Sequence, residues 1–306
     1  MDCPPWLWRM LLRRYWPPEF LHAGVAQGIA WCEQNQFDLP RSEDEPIFIF
    51  AAGWRSGSTL LQRLLNSHPE VFIWGEPYEH SLLLYHLSST LAGLTKEPLD
   101  LNFLPRNLTR MPGELASSLT TKWIAVLTPP VADLKRAQLA YLQALFGARA
   151  GEAGRPRWGL KLVRATATIA RYLRWLYPKA KMLYLFRSPY AAFQSYKNAT
   201  KGDWYLYYPT HPVKGVLPFV VHWRYCMNTF LASHREVGAL LVPYESLLDR
   251  QALGPLQEYL GFQLDPGVLD LKVDIKHEKT RTLTKTERTT IGFIAGDAAR
   301  RFGYTG

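Results

Sequence analysis

From Gly53 to Thr59 the chain reads Gly-Trp-Arg-Ser-Gly-Ser-Thr, preceded by the apolar run Ile47–Ala51 and followed by the helical pattern Leu60-Leu61-Gln62-Arg63-Leu64-Leu65. A strand that turns through glycines into a helix aims free backbone N–H groups and the positive end of a helix dipole at one point, which is the chemistry of an anion cradle. Gly57 can take backbone angles closed to other residues and so let the chain approach a cluster of oxygens. Arg55 adds a planar cationic fork and Ser58 and Thr59 add hydroxyl donors, while Ser56 and Leu60 complete the stretch expected to hold the anion.

A Walker loop needs four residues between its glycines and a Lys before the Ser/Thr; here three intervene and Arg55 precedes the second glycine, which disfavours a magnesium-dependent kinase. A second cationic position closes another apolar run: Arg187 follows Leu183-Tyr184-Leu185-Phe186, and Ser195 lies eight residues on, about two turns into a helical pattern. Arg187 would stand at a helix N-terminus, with Ser195 turned towards a ligand laid along that helix. Two further groups sit beside the predicted strands. Glu76 follows Val71–Trp74 and is a candidate general base, with Glu79 and His80 as alternatives one turn on, and a wall such as Trp74 is expected to favour its neutral form. Lys161, near the end of Trp158–Leu162, takes the position at a strand's carboxyl end where ligands of open α/β sheets gather.

Those groups require a scaffold. Five apolar runs, Ile47–Ala51, Val71–Trp74, Trp158–Leu162, Met182–Phe186 and Leu240–Pro243, each lie near a helical pattern, which predicts an α/β fold with a central parallel sheet of about five strands flanked by helices. The 306 residues suit a single domain, with a helical segment over 1–45. A long insertion, 81–156, carries helical patterns at Glu114–Val126 and Val131–Phe146 and a Gly-rich linker at Gly147–Gly154; it forms either part of an acceptor pocket or a cap over the sheet. The aromatic-rich stretch from Gly202 to Tyr225 reads either as a lid or substrate wall or as packing against a helix.

Composition narrows the class. Apolar residues at 47% and charged residues at 20% fit a globular chain, and a net charge of +10 suits an anionic ligand, nucleic acid or an acidic membrane equally. Cys3, Cys32 and Cys226 are scattered, which disfavours a disulfide framework or zinc site and fits a reducing, cytoplasmic setting. The start, Pro4 to Arg14, interrupts its apolar residues with arginines and predicts neither signal peptide nor anchor; it reads as a terminal helix packed on the domain or lying on a membrane surface, without stable insertion. The sequons at Asn107 and Asn198 carry little weight without a secretory signal.

With its continuation Asn66-Ser67-His68-Pro69-Glu70 and the pair Gly75-Glu76, the first loop resembles the sulfate-donor loop of sulfotransferases that use 3′-phosphoadenosine 5′-phosphosulfate (PAPS), in their bacterial, carbohydrate and tyrosylprotein branches. Leu183 to Tyr196 is similar to the segment that holds the donor's 3′-phosphate, through Arg187 and Ser195. Leu241–Leu247 with Tyr259–Phe262, and the tail from Leu283 to Tyr304, extend the likeness, whereas 81–156 match nothing in it. The resemblance implies a P-loop-NTPase-like sulfotransferase fold, PAPS as donor and PAP as product. It also implies Glu76 as base, Lys161 and Arg55 as the cations at the leaving oxygen, and no metal. The chain departs from cytosolic members in carrying Arg55 where they have Lys and in lacking their closing Arg-Lys-Gly, for which Lys279 and Arg281 are the nearest substitutes. The expected acceptor is a hydroxyl or amine of a small molecule or carbohydrate. The readings left beside it are a kinase with a degenerate P-loop and a basic nucleic-acid binder, the latter without any recognised motif.

Overall fold

Among the described residues, five strands, β1 (Ile47–Ala51), β2 (Val71–Trp74), β3 (Arg157–Leu162), β4 (Lys181–Phe186) and β5 (Ala239–Pro243), pair in parallel in the order β2-β3-β1-β4-β5. The computed structural model describes residues 2–15, 23–35, 38–94, 129–199, 212–271 and 281–305. Three strands begin a residue before their apolar runs because backbone pairing starts earlier, as where Arg157 N–H donates to Glu70 O (3.0 Å) and Lys181 N–H to Pro46 O (2.8 Å). The helices before β2 are α1 (Pro5–Tyr15), α2 (Ala23–Gln34) and α3 (Ser58–Leu65). Between β2 and β3 come α4 (Leu83–Gly93), α5 (Val131–Leu142), a π turn (Gln143–Gly147) and α6 (Ala148–Glu152). Thereafter come α7 (Ala167–Leu176), α8 (Pro189–Ala199), α9 (Val216–Ser233), α10 (Tyr244–Leu248), α11 (Leu253–Leu260) and α12 (Lys285–Arg300).

β1 is buried along its whole length, as a parallel strand covered on both faces must be. Phe48 and Phe50 join the larger core with Tyr172, Tyr184, Phe219 and Phe230, under α7, α9 and α12. Ile47 and Ile49 face the other way, onto Leu61, Leu64 and Leu65 of α3 and Leu256 and Leu260 of α11. Lys161 alternates with Leu160 and Leu162 of the larger core, so it belongs to the α3 side of the sheet.

The Gly-rich segment expected as a linker is helical instead. Phe146 and Ala150 are buried against the domain, and Gly147 packs so closely on the Gln143 side chain that a Cβ would come within 2.0 Å of its oxygen. Tertiary burial outweighs glycine's poor helix propensity there. In the insertion, Gln138 of α5 donates to Leu87 O of α4 (3.1 Å) and accepts from Tyr172 of α7 (3.1 Å), so these helices clasp one face of the sheet; Glu114–Val126 lies outside the described residues. α1 packs on the domain through Leu11, a Cys3 N–H bond to Phe293 O (2.9 Å) and Trp8, 4.5 Å beneath the Arg224 guanidinium. Among the described residues no helix is long and apolar enough to cross a membrane.

Candidate active site

β1 delivers the chain to Gly53 (φ 86°), Arg55 (φ 63°) and Gly57 (φ 90°), three left-handed turns that wrap the loop before α3 begins at Ser58. Trp54 is pulled into the core, where its ring lies 4.7 Å from that of His222. Burial pushes His222 down to about 3, so it packs there as a neutral ring. Ser56, fully buried, donates its hydroxyl to Gly53 O (2.7 Å) and Ala52 O (3.2 Å), and so shapes the loop from inside. The N–H groups of Leu60 and Leu61 close on Gly57 O, whereas those of Ser58 and Thr59 have no acceptor among the described residues. Thr59 is exposed, Leu60 half-buried, and Ser58 sits at the floor of the turn. The Tyr244 ring lies directly against Gly57, where a Cβ would meet it at 2.0 Å.

β4 ends beside this loop, and the two cationic motifs join. Arg187 Nη1 donates to Arg55 O (3.2 Å), and Arg55 Nε donates to Ser195 Oγ (3.1 Å). Arg187 lies 4.5 Å over the Tyr244 ring, and its buried Nε has no partner among the described residues. Packing around its head group, followed by the Arg187 charge, lowers the pKa of Arg55 from its ordinary value. The start of α8 is fixed from behind: Ser188 N–H donates to Glu245 Oε1 (3.1 Å), Tyr304 OH donates to Glu245 Oε2 (2.7 Å), and Trp223 Nε1 donates to Arg187 O (3.0 Å).

At the ends of β2 and β3 lies a charged network. Glu76 Oε1 is 3.1 Å from Lys161 Nζ, and Glu76 Oε2 accepts from Arg164 Nη1 at 2.8 Å. The same Arg164 nitrogen reaches Glu79 Oε2 (3.0 Å), while Glu79 Oε1 accepts the N–H groups of Val163 (2.9 Å) and Arg164 (3.3 Å). Burial, then the Glu76 charge, pushes the Glu79 carboxyl up to about 7 against the pull of Arg164. Glu79 is thus enclosed, whereas the Glu76 side chain keeps 32% of its surface open and lies between two cations rather than against an apolar wall. Trp74, expected as that wall, turns its Nε1 away to Phe146 O (3.2 Å).

Residues 46–266, more than half of the chain, match the model of the Sulfotransferase family. The chain belongs to this family. Similar solved structures are the sulfotransferase domain of a Synechococcus olefin synthase, 24% identical over 89% of this chain and 99% of that one (TM-score 0.46), and an Alicyclobacillus acidocaldarius sulfotransferase, 15% identical over 84% and 95% (0.44). A Mycobacterium tuberculosis sulfotransferase is 16% identical over 97% and 92% (0.44). No curated protein gives a significant sequence match.

This sulfotransferase brings together Arg55, Ser58, Thr59, Arg187 and Ser195 at one loop junction, with Glu76 and Lys161 paired at the neighbouring strand ends. His80 is exposed and outside that network. Arg164 and Tyr244 contact these candidate residues and were not singled out by sequence; the signal for Arg164 was only its place just after β3, three residues past Lys161. Trp223 and Tyr225, expected in a lid or in packing, lie on α9, with Trp223 fully buried; positions 202–211 of that stretch and Lys279 lie outside the described residues. Arg281 is docked on α8 instead, its N–H donating to Asn198 Oδ1 (2.7 Å).

Proposed function

We propose that this sulfotransferase takes PAPS as donor and moves its sulfuryl group to a hydroxyl or amine of a small molecule or carbohydrate, with Glu76 as general base. The observation that carries the reading is the junction of Arg55, Arg187 and Ser195 beside the open N–H groups of Ser58 and Thr59, a pair of anion positions one loop apart. The donor supplies an activated sulfuryl group on a phosphate leaving group, and the residues present fit it: crowded guanidiniums, a buried Arg187 Nε with no partner among the described residues, and a glycine cradle floored by Tyr244.

In this reading Glu76 would accept the acceptor's proton as sulfur forms its new bond to the acceptor's oxygen or nitrogen and its bond to the donor's bridging oxygen breaks. Protonation of Glu76 releases Lys161 from its 3.1 Å ion pair at the moment when negative charge develops on the leaving phosphate, so base and cation act in one motion. Arg164 keeps the Glu76 carboxylate aimed, and Glu79 holds Arg164. The family match leaves the kinase and nucleic-acid readings without an observation in their favour.

Calorimetry with adenosine 3′,5′-bisphosphate tests the donor. The wild type is expected to bind it, and Arg187→Ala to bind it about 10- to 100-fold more weakly, the cost of a charge-assisted contact. Absence of binding by the wild type, or turnover with ATP in place of PAPS, overturns the reading.

A further inference from the structure

At the other end of the sheet lies a cleft of about 880 Å³ between α2, the segment that leads into β1, α5 and α7. Its residues Arg41, Pro178 and Val237 precede β1, β4 and β5, whereas the donor loops leave the strands' far ends. The two sites are thus separated by about a strand length, roughly 17 Å. Lys135 reaches the cleft from α5, 4% exposed, with its ammonium 4.6 Å from the Trp175 ring centre. Among the described residues no carboxylate pairs with it. A buried ammonium set against an aromatic face, with Glu33 acting on it only from beyond contact distance, is costly to keep, and an arriving anion recovers that cost.

The remaining lining selects the anion. Arg171 is committed to Glu236 through two bonds (2.7 and 2.8 Å), and Arg174 to the carbonyls of Val237 and Pro178, so Lys135 and the exposed Arg41 are the cations left for a ligand. Glu33 and Glu236 also line the cleft and oppose a dianion. Ala26, Ile29, Leu39 and Trp175 supply an apolar wall. We propose that this cleft binds a monoanionic amphiphile, an apolar chain ending in one carboxylate, which Lys135 receives against the face of Trp175. Burial, then the charge of Arg41, lowers Lys135 to about 8, with Cys32 and Glu33 of α2 pulling the other way; Arg171, Arg174 and Glu236 complete the charged groups lining the cleft. A bound carboxylate raises that value, so binding above about pH 8 takes up a proton.

Calorimetry of the full chain with dodecanoate, dodecanol and inorganic phosphate tests this. Dodecanoate is expected to bind, dodecanol and phosphate about tenfold or more weakly, and complexation at about pH 8.5 to show proton uptake across buffers. Lys135→Met, which replaces a buried charge with an apolar chain, is expected to lose about tenfold or more in dodecanoate affinity and its proton uptake while still binding adenosine 3′,5′-bisphosphate. Ala30→Glu, an exposed helix position on the cleft wall, is expected to weaken dodecanoate without altering the unfolding midpoint. No binding by the wild type, equal binding of phosphate or dodecanol, or unchanged binding by Lys135→Met overturns the proposal.

Discussion

Glu76 and Glu79 share one arginine nitrogen, yet their surroundings give them different work. Glu76 is partly exposed, so under the proposed base role Glu76→Gln is expected to lower turnover by about 10²- to 10⁴-fold while leaving bisphosphate affinity unchanged; undiminished turnover moves the base elsewhere. Glu79 has a carboxyl raised from 4.5 to about 7, so the folded protein holds this proton more tightly than the unfolded chain. Stability conferred at this site therefore falls as pH rises between those two values and is level above them. Urea unfolding of the wild type and of Glu79→Gln is expected to diverge by on the order of a few kcal/mol between about pH 4 and pH 8, the wild type losing stability as pH rises. A pH-independent difference contradicts it. Arg164, which joins the two acids, was hidden in the sequence because its role depends on contacts to residues 85 and 88 positions away.

The loop before α3 was readable because its parts are contiguous: strand, glycines, hydroxyls and helix follow one another, and local backbone chemistry dictates the shape. The strands were readable for a similar reason, since a sheet covered on both faces demands unbroken apolar runs. What could not be read is what each loop leans on. Tyr244 stands 187 residues after Gly57 in the chain, and only the fold brings its ring to the glycine. Gly57→Ala is therefore expected to destabilise by about 2 kcal/mol or more, combining a left-handed φ with a steric clash, whereas Gly154→Ala, at φ 73° in open space, carries only the backbone penalty of about 1 kcal/mol. Equal urea midpoints for the two variants refute the role given to Tyr244. The helical Gly147–Glu152 segment shows the converse: glycines suggested a linker, and burial of Phe146 and Ala150 made a helix.

Across the whole molecule, one end of the sheet gathers Arg55, Lys161, Arg164 and Arg187, and the other end holds the cleft with Lys135. A net charge of +10 suited an anionic ligand, nucleic acid or an acidic membrane equally, and gave no sign that cations would divide between two ends of the sheet. The chain's closing residues belong to the first end, through Phe302, 4.4 Å from Phe186, and through the Tyr304 bond to Glu245. That attachment makes the tail a reporter. Because Glu245 also holds the first turn of the helix that follows Arg187, the proposed donor site predicts that fraying of the tail and bisphosphate binding are thermodynamically linked, and that the linkage is reciprocal. Bisphosphate is expected to slow tryptic release of the peptide after Arg301, detected by mass, and clipping there is expected to loosen bisphosphate by a few-fold. Under the proposed donor site, a protease aimed at the C-terminal residues is thus expected to monitor a nucleotide bound at the far side of Arg187.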